Sequence, residues 1–480
     1  MSLTSQNPAT GQTVASFEPW TATQLDAALE QARNAQQAWR ALSFAQRADA
    51  LSEVANLLRE RSSVLAELAT QEMGRLFSEA QSEVEKCALV CDYYAVHGEP
   101  FLEPEPIPTD AGKSYVCYQP LGVVLGIMPW NFPFWQVLRF TAPALMGGNV
   151  VLLKHAPNVQ QCAQAIERLL QDAGLPVGVF TNLPIEVDLI ERVIAHPAVQ
   201  AVTVTGSERT GRAVAALAGA HLKKIILELG GSDPFIVLAD ADLDLAVSRA
   251  VQARFTNCGQ ACIAAKRFIV VPQIADAFVA ALVERVSQLR VGDPMDAATQ
   301  IAPLARDDLR TQLHEQVQAT LAAGAQALIG CHAIEGPGYF YAPSVIDKVP
   351  PHAVARQEEL FGPVAAVIRA LDEADAVRIA NETRFGLGAS IWSRNYEHAE
   401  ALALRIEAGL TFVNGIVKSD PRMPFGGIKA SGHGRELSFH GIREFCQAKT
   451  VWIREGWKPG TERRRGDRRR GDRRTGEIAD

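Results

Sequence analysis

Residues 199–238, VQAVTVTGSERTGRAVAALAGAHLKKIILELGGSDPFIVL, contain the pattern that decides the fold. A β-rich run ends in a glycine turn, a helix-forming segment follows, and two more β-rich runs come after it, separated by the glycine pair 230–231. Strands that alternate with helices of about ten to fifteen residues are typical of doubly wound domains. This stretch therefore predicts an α/β fold.

The same alternation extends in both directions. Upstream, LGVVLGIMPW at 121–130 and NVVLLKHAP at 149–157 are apolar runs that end at a proline, as buried strands entering a loop do. Downstream, further periodic segments predict strands at 267–271 and 365–370 and helices at 243–257, 275–289, 309–323 and 372–381. The chain is therefore expected to contain two α/β domains.

The N-terminal segment has helical rather than alternating periodicity. Apolar residues at three- and four-residue spacing predict amphipathic helices over 22–61, with Thr21 as an N-cap, and a further helical stretch over 64–95. Four prolines in 99–108 cannot continue a helix, so this stretch is expected to be a connector.

Composition sets the class of protein. The chain has 480 residues, of which 48% are hydrophobic, enough for two or three domains with buried cores. Its net charge of -7 does not fit a nucleic-acid-binding surface, which needs a basic patch. A globular protein without a nucleic-acid partner is expected.

The number and spacing of the cysteines and the sequence of the N-terminus indicate the cellular compartment. Eight cysteines without a CxxC pair suggest neither a disulfide scaffold nor a zinc site, so no metal site is predicted and a reducing cytoplasm fits best. The first residues, MSLTSQNPATGQTV, lack the basic and apolar regions of an export signal, and no apolar run is long enough for a membrane span. Neither export nor membrane insertion is expected.

The C-terminal tail has a different composition. Residues 462–480 hold eight arginines and five acidic residues, with GDRRRGDRR repeating itself within 463–474. Such a segment is predicted to be disordered. Association of this run with RNA or a membrane is a possible side activity only, because the acidic residues dilute the charge.

Cys262 is the candidate nucleophile. It lies in FTNCGQACIAAKR at 255–267, where a helix-forming stretch gives way to Gly259 and small residues before a strand. We therefore expect the thiol on a loop, and loops on rigid scaffolds carry nucleophiles. A free cysteine is also among the most often buried residue types, so a packing role is the alternative for Cys262 and Cys258 alike.

Glu228 and Asn131 could supply the other reacting groups. Glu228 ends an apolar strand before two glycines, and a desolvated carboxylate there would have a raised pKa suited to a general base. Asn131 is the amide of PWNFPFW at 129–135, where a stiff proline frame could aim its NH2 group at a developing oxyanion. The alternative for Glu228 is a carboxylate that caps a helix or forms an ion pair. The alternative for Asn131 is an amide that stabilises a turn.

Residues 203–211, TVTGSERTG, predict a helix N-terminus that could receive a phosphate. Gly206 and Ser207 stand between the strand and the helix, although the spacing is not GxGxxG. Lys154, at the end of the VVLLK strand, could reach a ribose or a phosphate. The alternative is that Lys154 is solvated and binds no ligand.

Seven stretches taken together resemble the aldehyde dehydrogenase superfamily in order and approximate spacing. They are PWNFP (129–133), LLKHAPN (152–158), TVTGS (203–207), LELGGSDP (227–234), NCGQACIAAKR (257–267), EELFGP (358–363) and MPFGGIKASGHGRE (423–436). The resemblance covers about residues 5–456, and KHAPN, ELGGSDPFIVL and GRELSFHG are most similar to the bacterial NAD(P)-dependent succinate-semialdehyde dehydrogenases.

The resemblance implies an aldehyde dehydrogenase-like fold with two doubly wound α/β domains and a small β extension. The implied parts are a Rossmann-like NAD(P)-binding domain at 1–108 and 122–229, a catalytic domain at 230–435, oligomerisation strands at 109–121 and 436–456, and the disordered tail at 457–480. In this family the outlying strands join subunits, so a homodimer or homotetramer is expected.

The resemblance also assigns roles to the reacting groups. Cys262 is implied to attack the aldehyde carbon, while Asn131 and the Cys262 backbone N–H hold the oxyanion. Hydride transfer to the nicotinamide leaves a thioester, and Glu228 is implied to activate the water that hydrolyses it. The implied reaction is irreversible NAD(P)-dependent oxidation of an aldehyde to a carboxylic acid, with succinate semialdehyde as the expected substrate.

Cofactor residues follow from the same matches. They are Trp130 and Lys154 at the adenosine ribose, Gly206 and Ser207 at the pyrophosphate, and Glu359 and Phe361 at the nicotinamide. Pro157 stands where many NAD-selective members have a glutamate that repels a 2'-phosphate. Either NAD or NADP is therefore expected.

Substrate residues match the pattern less completely. Arg139 falls where succinate-semialdehyde enzymes have an arginine for the distal carboxylate, and a guanidinium suits bidentate pairing with it. The alternative to this substrate-binding role is that Arg139 forms a surface or interdomain salt bridge. Thr256 and Asp420 stand where some such enzymes have a second arginine and a serine.

Two rival functions stay open. A broad-specificity aldehyde dehydrogenase would share all the reacting groups. A catalytically silent structural relative should lose the nucleophile or the base, and retention of Cys262, Glu228 and Asn131 argues against it.

Overall fold

The computed structural model describes residues 3–454. The arginine-rich tail, and with it the prediction of disorder, lies outside this range. The α/β class expected from the alternating segments is confirmed, because helices cover both large sheets. Within the described range no helix combines the length and apolar character needed to cross a membrane.

The helices of the described chain are listed here in order. They are α1 Ala22–Ala41, α2 Phe44–Glu60, α3 Ser62–Met73, α4 Phe77–Phe101, α5 Trp135–Met146, α6 Gln160–Asp172, α7 Ile190–Ala195, α8 Glu208–Ala220, α9 Leu243–Phe255, α10 Pro272–Ser287, α11 Asp307–Ala322, α12 Val354–Gln357, α13 Glu373–Asn381, α14 Tyr396–Ala403 and α15 Ser438–Glu444. Thr21 caps α1 as predicted, with the reciprocal Gln24 bond of a capping box.

The strands form four sheets. They are β1 Leu3–Gln6, β2 Thr13–Phe17, β3 Glu105–Pro106, β4 Lys113–Pro120, β5 Val123–Met128, β6 Val150–His155, β7 Phe180–Asn182, β8 Val199–Thr205, β9 Lys224–Glu228, β10 Asp233–Val237, β11 Ala265–Val270, β12 Gln326–Ile329, β13 Ser344–Asp347, β14 Val364–Arg369, β15 Gly388–Trp392, β16 Leu410–Val413, β17 Gly432–His433 and β18 Cys446–Ile453. Their orders are β1-β2, β17-β9-β8-β5-β6-β7, β12-β13-β14-β11-β10-β15-β16 and β18-β4-β3.

The six-stranded sheet aligns several candidate site residues. Strands β5 to β9 run parallel, and only the short β17 pairs antiparallel, on β9. Register pairs Ile127 with Lys154 and Thr205 with Glu228. The carboxyl ends of these strands therefore meet at one edge, where α/β sheets bind ligands.

The glycine pair that separates β9 from β10 carries the chain from one sheet to the other. A Cβ at Gly231 would lie 2.9 Å from the Cys262 carbonyl oxygen and 2.9 Å from Leu387 Cβ, so only glycine fits. The cysteine loop is thereby held directly against the crossover.

Two predicted segments differ in detail. The helical stretch 64–95 is broken after α3, because Gly74 adopts φ +77° and caps that helix. The expected connector 99–108 is partly ordered: Pro100 lies in the last turn of α4, and Glu105–Pro106 forms β3. Proline has no N–H to donate to the carbonyl of Val96 four residues earlier, but α4 ends one residue later, so at most one hydrogen bond of its last turn is lost. The predicted domain boundaries stay a prediction.

Arg254 ties the end of α9 to the segments around the cysteine loop. Its fully buried guanidinium donates hydrogen bonds to the carbonyls of Ala265 at 3.1 Å, Gly259 at 3.2 Å and Leu360 at 2.9 Å. Each buried carbonyl would lose its side-chain donor without this residue.

We expect Arg254→Met to lower the free energy of unfolding by about 3 kcal/mol, because several buried acceptors become unpaired. In thermal melts this corresponds to a Tm lower by about 3–6 °C or more. Arg249→Met is the matched control, since the exposed Arg249 on the same helix bonds, among residues 3–454, to Gln252 alone, and the Tm of this variant should stay within about 1 °C of the unaltered protein. Equal melting of the two variants would contradict the role given to Arg254.

Candidate active site

A cavity of about 600 Å³ opens where the carboxyl edge of the six-stranded sheet faces the loops that precede β11, β14 and β15. Eight of the ten predicted site residues line it: Trp130, Asn131, Gly206, Ser207, Glu228, Cys262, Glu359 and Phe361. Lys154 and Arg139 are not part of this lining. The structure thus brings the predicted nucleophile, base and amide to one site.

The loop that carries Cys262 is sharply turned. Asn257 and Cys258 both adopt φ 54°, and Gly259 follows with φ 73°, so three consecutive residues are left-handed. The Asn257 backbone N–H donates to both carboxylate oxygens of Glu79 at 3.1 Å, which fastens this turn to α4. The half-buried Cys262 lies on a loop, as predicted.

Asn131 is oriented by the same loop. Its Nδ2 donates to the Gln260 backbone carbonyl at 3.0 Å, and the backbone carbonyl of Asn131 accepts from Asn257 Nδ2 at 2.9 Å. An amide NH2 has two protons, so one stays free for an oxyanion. No hydrogen bond within residues 3–454 engages the Cys262 backbone N–H, which leaves a second donor beside the thiol.

The Cys262 thiol is neutral at rest. Burial raises its pKa to about 11, and the positive charges of Lys266 and Arg139 oppose part of that rise. Lys266 also fixes the loop, because its Nζ donates to the carbonyls of Ala261 at 2.8 Å and Cys262 at 2.6 Å. A nearby base is therefore needed to form the thiolate.

Glu228 lines the same cavity as Cys262 and is the candidate for that base. It ends β9, is only 2% exposed, and neither carboxylate oxygen has a hydrogen-bond partner among the described residues. Burial, and then the charge of Glu436, raise its pKa well above the usual range. A Cβ at Gly426 would lie 2.7 Å from Glu228 Oε1, so this glycine makes room for the carboxylate.

The N-terminus of α8 faces the cavity. Ser207 is its N-cap, with Oγ accepting from Thr210 N at 3.2 Å, and the Gly206 N–H donates to the Glu228 carbonyl at 3.1 Å. A helix N-terminus offers unpaired N–H groups and a partial positive charge. This end of the cavity is suited to a phosphate.

Trp130, Phe361 and Glu359 form another wall. The rings of Trp130 and Phe361 meet edge to face, with centroids 5.8 Å apart. Glu359 accepts from Lys266 Nζ at 3.1 Å and from the Gly231 N–H at 3.2 Å. The aromatic pair offers an apolar surface beside a fixed carboxylate, which suits a flat ring and a ribose.

Lys154 lies just outside this lining, at the end of β6. Its Nζ donates to the His155 carbonyl at 3.1 Å, and burial lowers its pKa to about 8. His155 connects this strand end to the 129–135 loop: Nδ1 accepts from the Ala156 N–H at 3.0 Å, so Nε2 donates to the Pro133 carbonyl at 2.9 Å.

Arg139 lies outside the cavity lining, and its role in binding the substrate stays a prediction. It is 1% exposed and forms an ion pair with the buried Glu436, while its Nη2 donates to Thr205 Oγ1 at 3.3 Å and Phe425 lies 4.7 Å from its Cζ. The alternative role of Arg139, a salt bridge, is present in the structure. Glu436 is about 300 residues away in sequence, so local spacing gave no sign of this partner.

Sequence reasoning missed several cavity residues. They are Gln136, Thr205, Glu208, Arg209, Arg212, Leu309, Gln312, Gln316, Glu358, Arg384 and Phe385, together with Pro129, Leu229 and Gly230. Those on α11 and near residue 384 carry no local motif, and only the fold brings them to the cavity. Lys266 could have been found, because it lies in the same motif as Cys262.

The family follows from this site and from comparison with known proteins. A model of the aldehyde dehydrogenase family matches residues 1–451. The chain belongs to the aldehyde dehydrogenase family, and the resemblance in its seven stretches is confirmed.

Two similar proteins have names that specify a substrate and a cofactor. A probable NADP(+)-dependent succinate-semialdehyde dehydrogenase of Synechocystis sp. is 50% identical over 453 residues, 94% of this chain and 100% of the relative. An NAD(P)+-dependent succinate semialdehyde dehydrogenase of Escherichia coli is 47% identical, over 93% of this chain and 96% of the relative.

A solved structure confirms the fold. Succinic semialdehyde dehydrogenase from Streptococcus pyogenes, in complex with NADP+ as the cofactor, is 40% identical and superposes with a TM-score of 0.92. The match covers 94% of this chain and 99% of that chain.

We expect alkylation of Cys262 by iodoacetamide to quicken about tenfold per pH unit between pH 7 and pH 9, because the thiolate fraction rises tenfold per unit below the pKa. Peptide mass spectrometry after timed quenching measures the rate at each cysteine in the enzyme without cofactor. Cys258, which is fully buried, should stay unlabelled over the same period. A rate for Cys262 that levels off below pH 9 would contradict the raised pKa.

Proposed function

We propose that the protein oxidises succinate semialdehyde to succinate, with NAD or NADP as hydride acceptor, through a thioester on Cys262. The observation that carries the proposal is the convergence of Cys262, Asn131 and Glu228 on one cavity. The names of relatives about 50% identical to this chain support the substrate and the cofactor.

The cavity fits a dinucleotide. A helix N-terminus for the phosphates, an apolar aromatic wall and the Glu359 carboxylate are grouped around about 600 Å³. Gly206 and Ser207 would lie at the pyrophosphate, and Glu359 and Phe361 at the nicotinamide riboside. Trp130 and Lys154 are proposed for the adenosine ribose, although Lys154 lies beyond the lining.

In the first half of the reaction Glu228 takes the proton of the Cys262 thiol and passes it to solvent, and the thiolate Sγ then bonds to the aldehyde carbon. The carbonyl oxygen becomes an oxyanion, and Asn131 Nδ2 and the Cys262 backbone N–H donate to it. NAD(P), when bound, accepts the hydride from that carbon. As the oxyanion returns to a carbonyl, Cys262 is left as a thioester.

The second half releases the acid. Glu228 takes a proton from a water, the water oxygen bonds to the thioester carbon, and the Cys262 thiolate leaves. A carboxylate with a raised pKa suits this step, because it is a stronger base toward the proton of water than an exposed carboxylate is. The buried pair of Arg139 and Glu436 beside Glu228 maintains that environment.

Use of NADP follows from the residue at 157. Pro157 begins the turn after β6 and has no carboxylate that could repel a 2'-phosphate. The NADP+ complex of the Streptococcus pyogenes enzyme supports the same expectation.

A homodimer or homotetramer and a cytoplasmic location complete the proposal. The three-stranded sheet supports an assembly, because Trp452 and Ile453 of its edge strand β18 are 48% and 40% exposed. All eight cysteines are free, which fits a reducing compartment.

The proposed substrate is tested with an aldehyde panel. We expect kcat/KM for succinate semialdehyde to exceed that for butanal, which has equal carbon number but no carboxylate, by about 10-fold or more, because a charged hydrogen bond to the carboxylate stabilises only the acid. Absorbance at 340 nm with NAD and with NADP measures both rates. Equal values for the two aldehydes would favour the broad-specificity alternative, and a protein that oxidises no aldehyde would favour the silent relative.

We expect Glu228→Gln to form the thioester but release it slowly, because the water loses its base while some thiolate still forms. A burst of NADPH close to one per active site should precede a steady rate at least about 100-fold lower than that of the unaltered enzyme. Mass spectrometry of the quenched protein should find the acyl adduct on Cys262. Full turnover without an adduct would contradict the role of Glu228, and Cys262→Ala is the control without a burst.

A further inference from the structure

Glu79, on α4, holds the beginning of the cysteine loop, residues 256–264. Both of its carboxylate oxygens accept the backbone N–H of Asn257, at 3.1 Å each. Asn257 has a φ of 54°, a left-handed conformation that is costly for a residue with a side chain. The ionised acceptor offsets part of that cost, because hydrogen bonds to a charged group are strong.

Glu83, one turn later on the same helix, holds the end of the asparagine loop, residues 129–135. Its Oε1 accepts the backbone N–H groups of Phe134 and Trp135, at 2.9 and 2.8 Å. These N–H groups belong to the start of α5, where donors lack partners within the helix. Glu83 is 3% exposed, so the contact is shielded from water.

Arg75, two residues before α4, supplies the counter-charge for both acids. Its Nη1 donates to Glu83 Oε2 at 2.7 Å, and its Nε lies 3.9 Å from Glu79 Oε2. Its guanidinium carbon also lies 4.2 Å from the centre of the Phe132 ring in the asparagine loop. Burial raises the pKa of Glu79 and of Glu83, and the charge of Arg75 opposes that rise in both.

The two loops meet at Asn257, between these attachments. Asn257 Nδ2 donates to the backbone carbonyl of Asn131 at 2.9 Å and to that of Gln260 at 3.1 Å. Asn131 Nδ2 donates to the same Gln260 carbonyl at 3.0 Å. Two successive hydrogen bonds therefore connect Glu79 to the backbone of Asn131. The direction of the Asn131 amide thus depends on how Asn257 is held.

Within the described chain, none of the three charged residues belongs to the cavity lining, so their effect on the reaction is indirect. We propose that Arg75, Glu79 and Glu83 form a clamp that positions the oxyanion site. The clamp fixes the separation between the Asn131 amide and the Cys262 backbone N–H, the two proposed donors to the oxyanion. This inference rests on the proposed function and adds to it positioning residues that act through Asn131.

The test compares Glu79→Leu with Glu79→Gln on the aldehyde that the unaltered enzyme oxidises fastest. Leucine removes the acceptor for the Asn257 N–H, whereas glutamine keeps one acceptor oxygen. We expect kcat to fall about 10- to 100-fold in Glu79→Leu and less than about fivefold in Glu79→Gln, because a misplacement of about 1 Å can cost about 100-fold in rate. KM should change less than about threefold in both, since the interaction that is lost belongs to the transition state.

The decisive comparison repeats Glu79→Leu in an Asn131→Ala background. Glu79→Leu should slow that enzyme by less than about threefold, because no amide is left to misplace. Asn257→Gly cuts the connection to Asn131 without altering α4, and glycine tolerates the left-handed backbone. It should give the same pattern in both backgrounds, and it serves as the second variant if Glu79→Leu does not fold.

Alkylation of Cys262 by iodoacetamide, in the enzyme without cofactor, gives a measurement that does not depend on turnover. Its rate in Glu79→Leu should stay within about twofold of the unaltered enzyme, because alkylation forms no oxyanion. Glu85→Leu is the matched control. Glu85 is an exposed acid on the same helix that pairs with Arg59 at 3.2 Å, so the kinetics of this variant should not change.

Each outcome decides something different. A loss in Glu79→Leu that Glu79→Gln largely restores, with no further loss in the Asn131→Ala background, supports the inference. Equal losses with and without the Asn131 amide, or an unchanged kcat in Glu79→Leu, would overturn it. A changed alkylation rate would also overturn it, because the variant would then act on the nucleophile. An unaltered enzyme that oxidises no aldehyde would overturn the proposed function and the inference with it.

Discussion

The contact between Gly231 and the Cys262 carbonyl is the constraint on which the site depends. At that point the chain leaves the six-stranded sheet, and the loop before β11 of the seven-stranded sheet packs against it with no room for a side chain. Glu228 lies three residues before the contact and Cys262 lies at it. The distance between the base and the nucleophile is therefore set by backbone packing, which is far stiffer than a pair of side chains on mobile loops.

The electrostatics of the site follow from its burial. Burial raises the pKa of both Cys262 and Glu228, so the thiol keeps its proton until a base removes it, and the carboxylate binds a proton more strongly than an exposed one does. Nearby positive charges limit the rise without cancelling it. The protein thereby avoids a permanently exposed thiolate, which oxidants and alkylating agents would attack, and forms the nucleophile only where a base is close.

The sequence predicted those features that local patterns determine. The strand ends, the loop position of Cys262, the helix N-terminus after Gly206 and Ser207 and the carboxylate at the end of β9 all follow from apolar runs that stop at glycine, proline or a helix start. Arg139 shows where this reasoning ends. Its ion pair depends on Glu436, about 300 residues away, and no local spacing encodes which distant acid will pair with a given arginine.

The short strand β17 pairs with the end of β9, so that Gly432 lies opposite Glu228 and the segment from Gly426 to Glu436 covers the carboxylate. In synthesis, Glu228 leaves the ribosome about 200 residues before this cover does. A growing chain can form much of the six-stranded sheet early, yet its carboxylate stays open to water and its pKa ordinary. The chemical competence of the enzyme is therefore postponed until translation is almost complete, and a truncated product retains the nucleophile without an activated base.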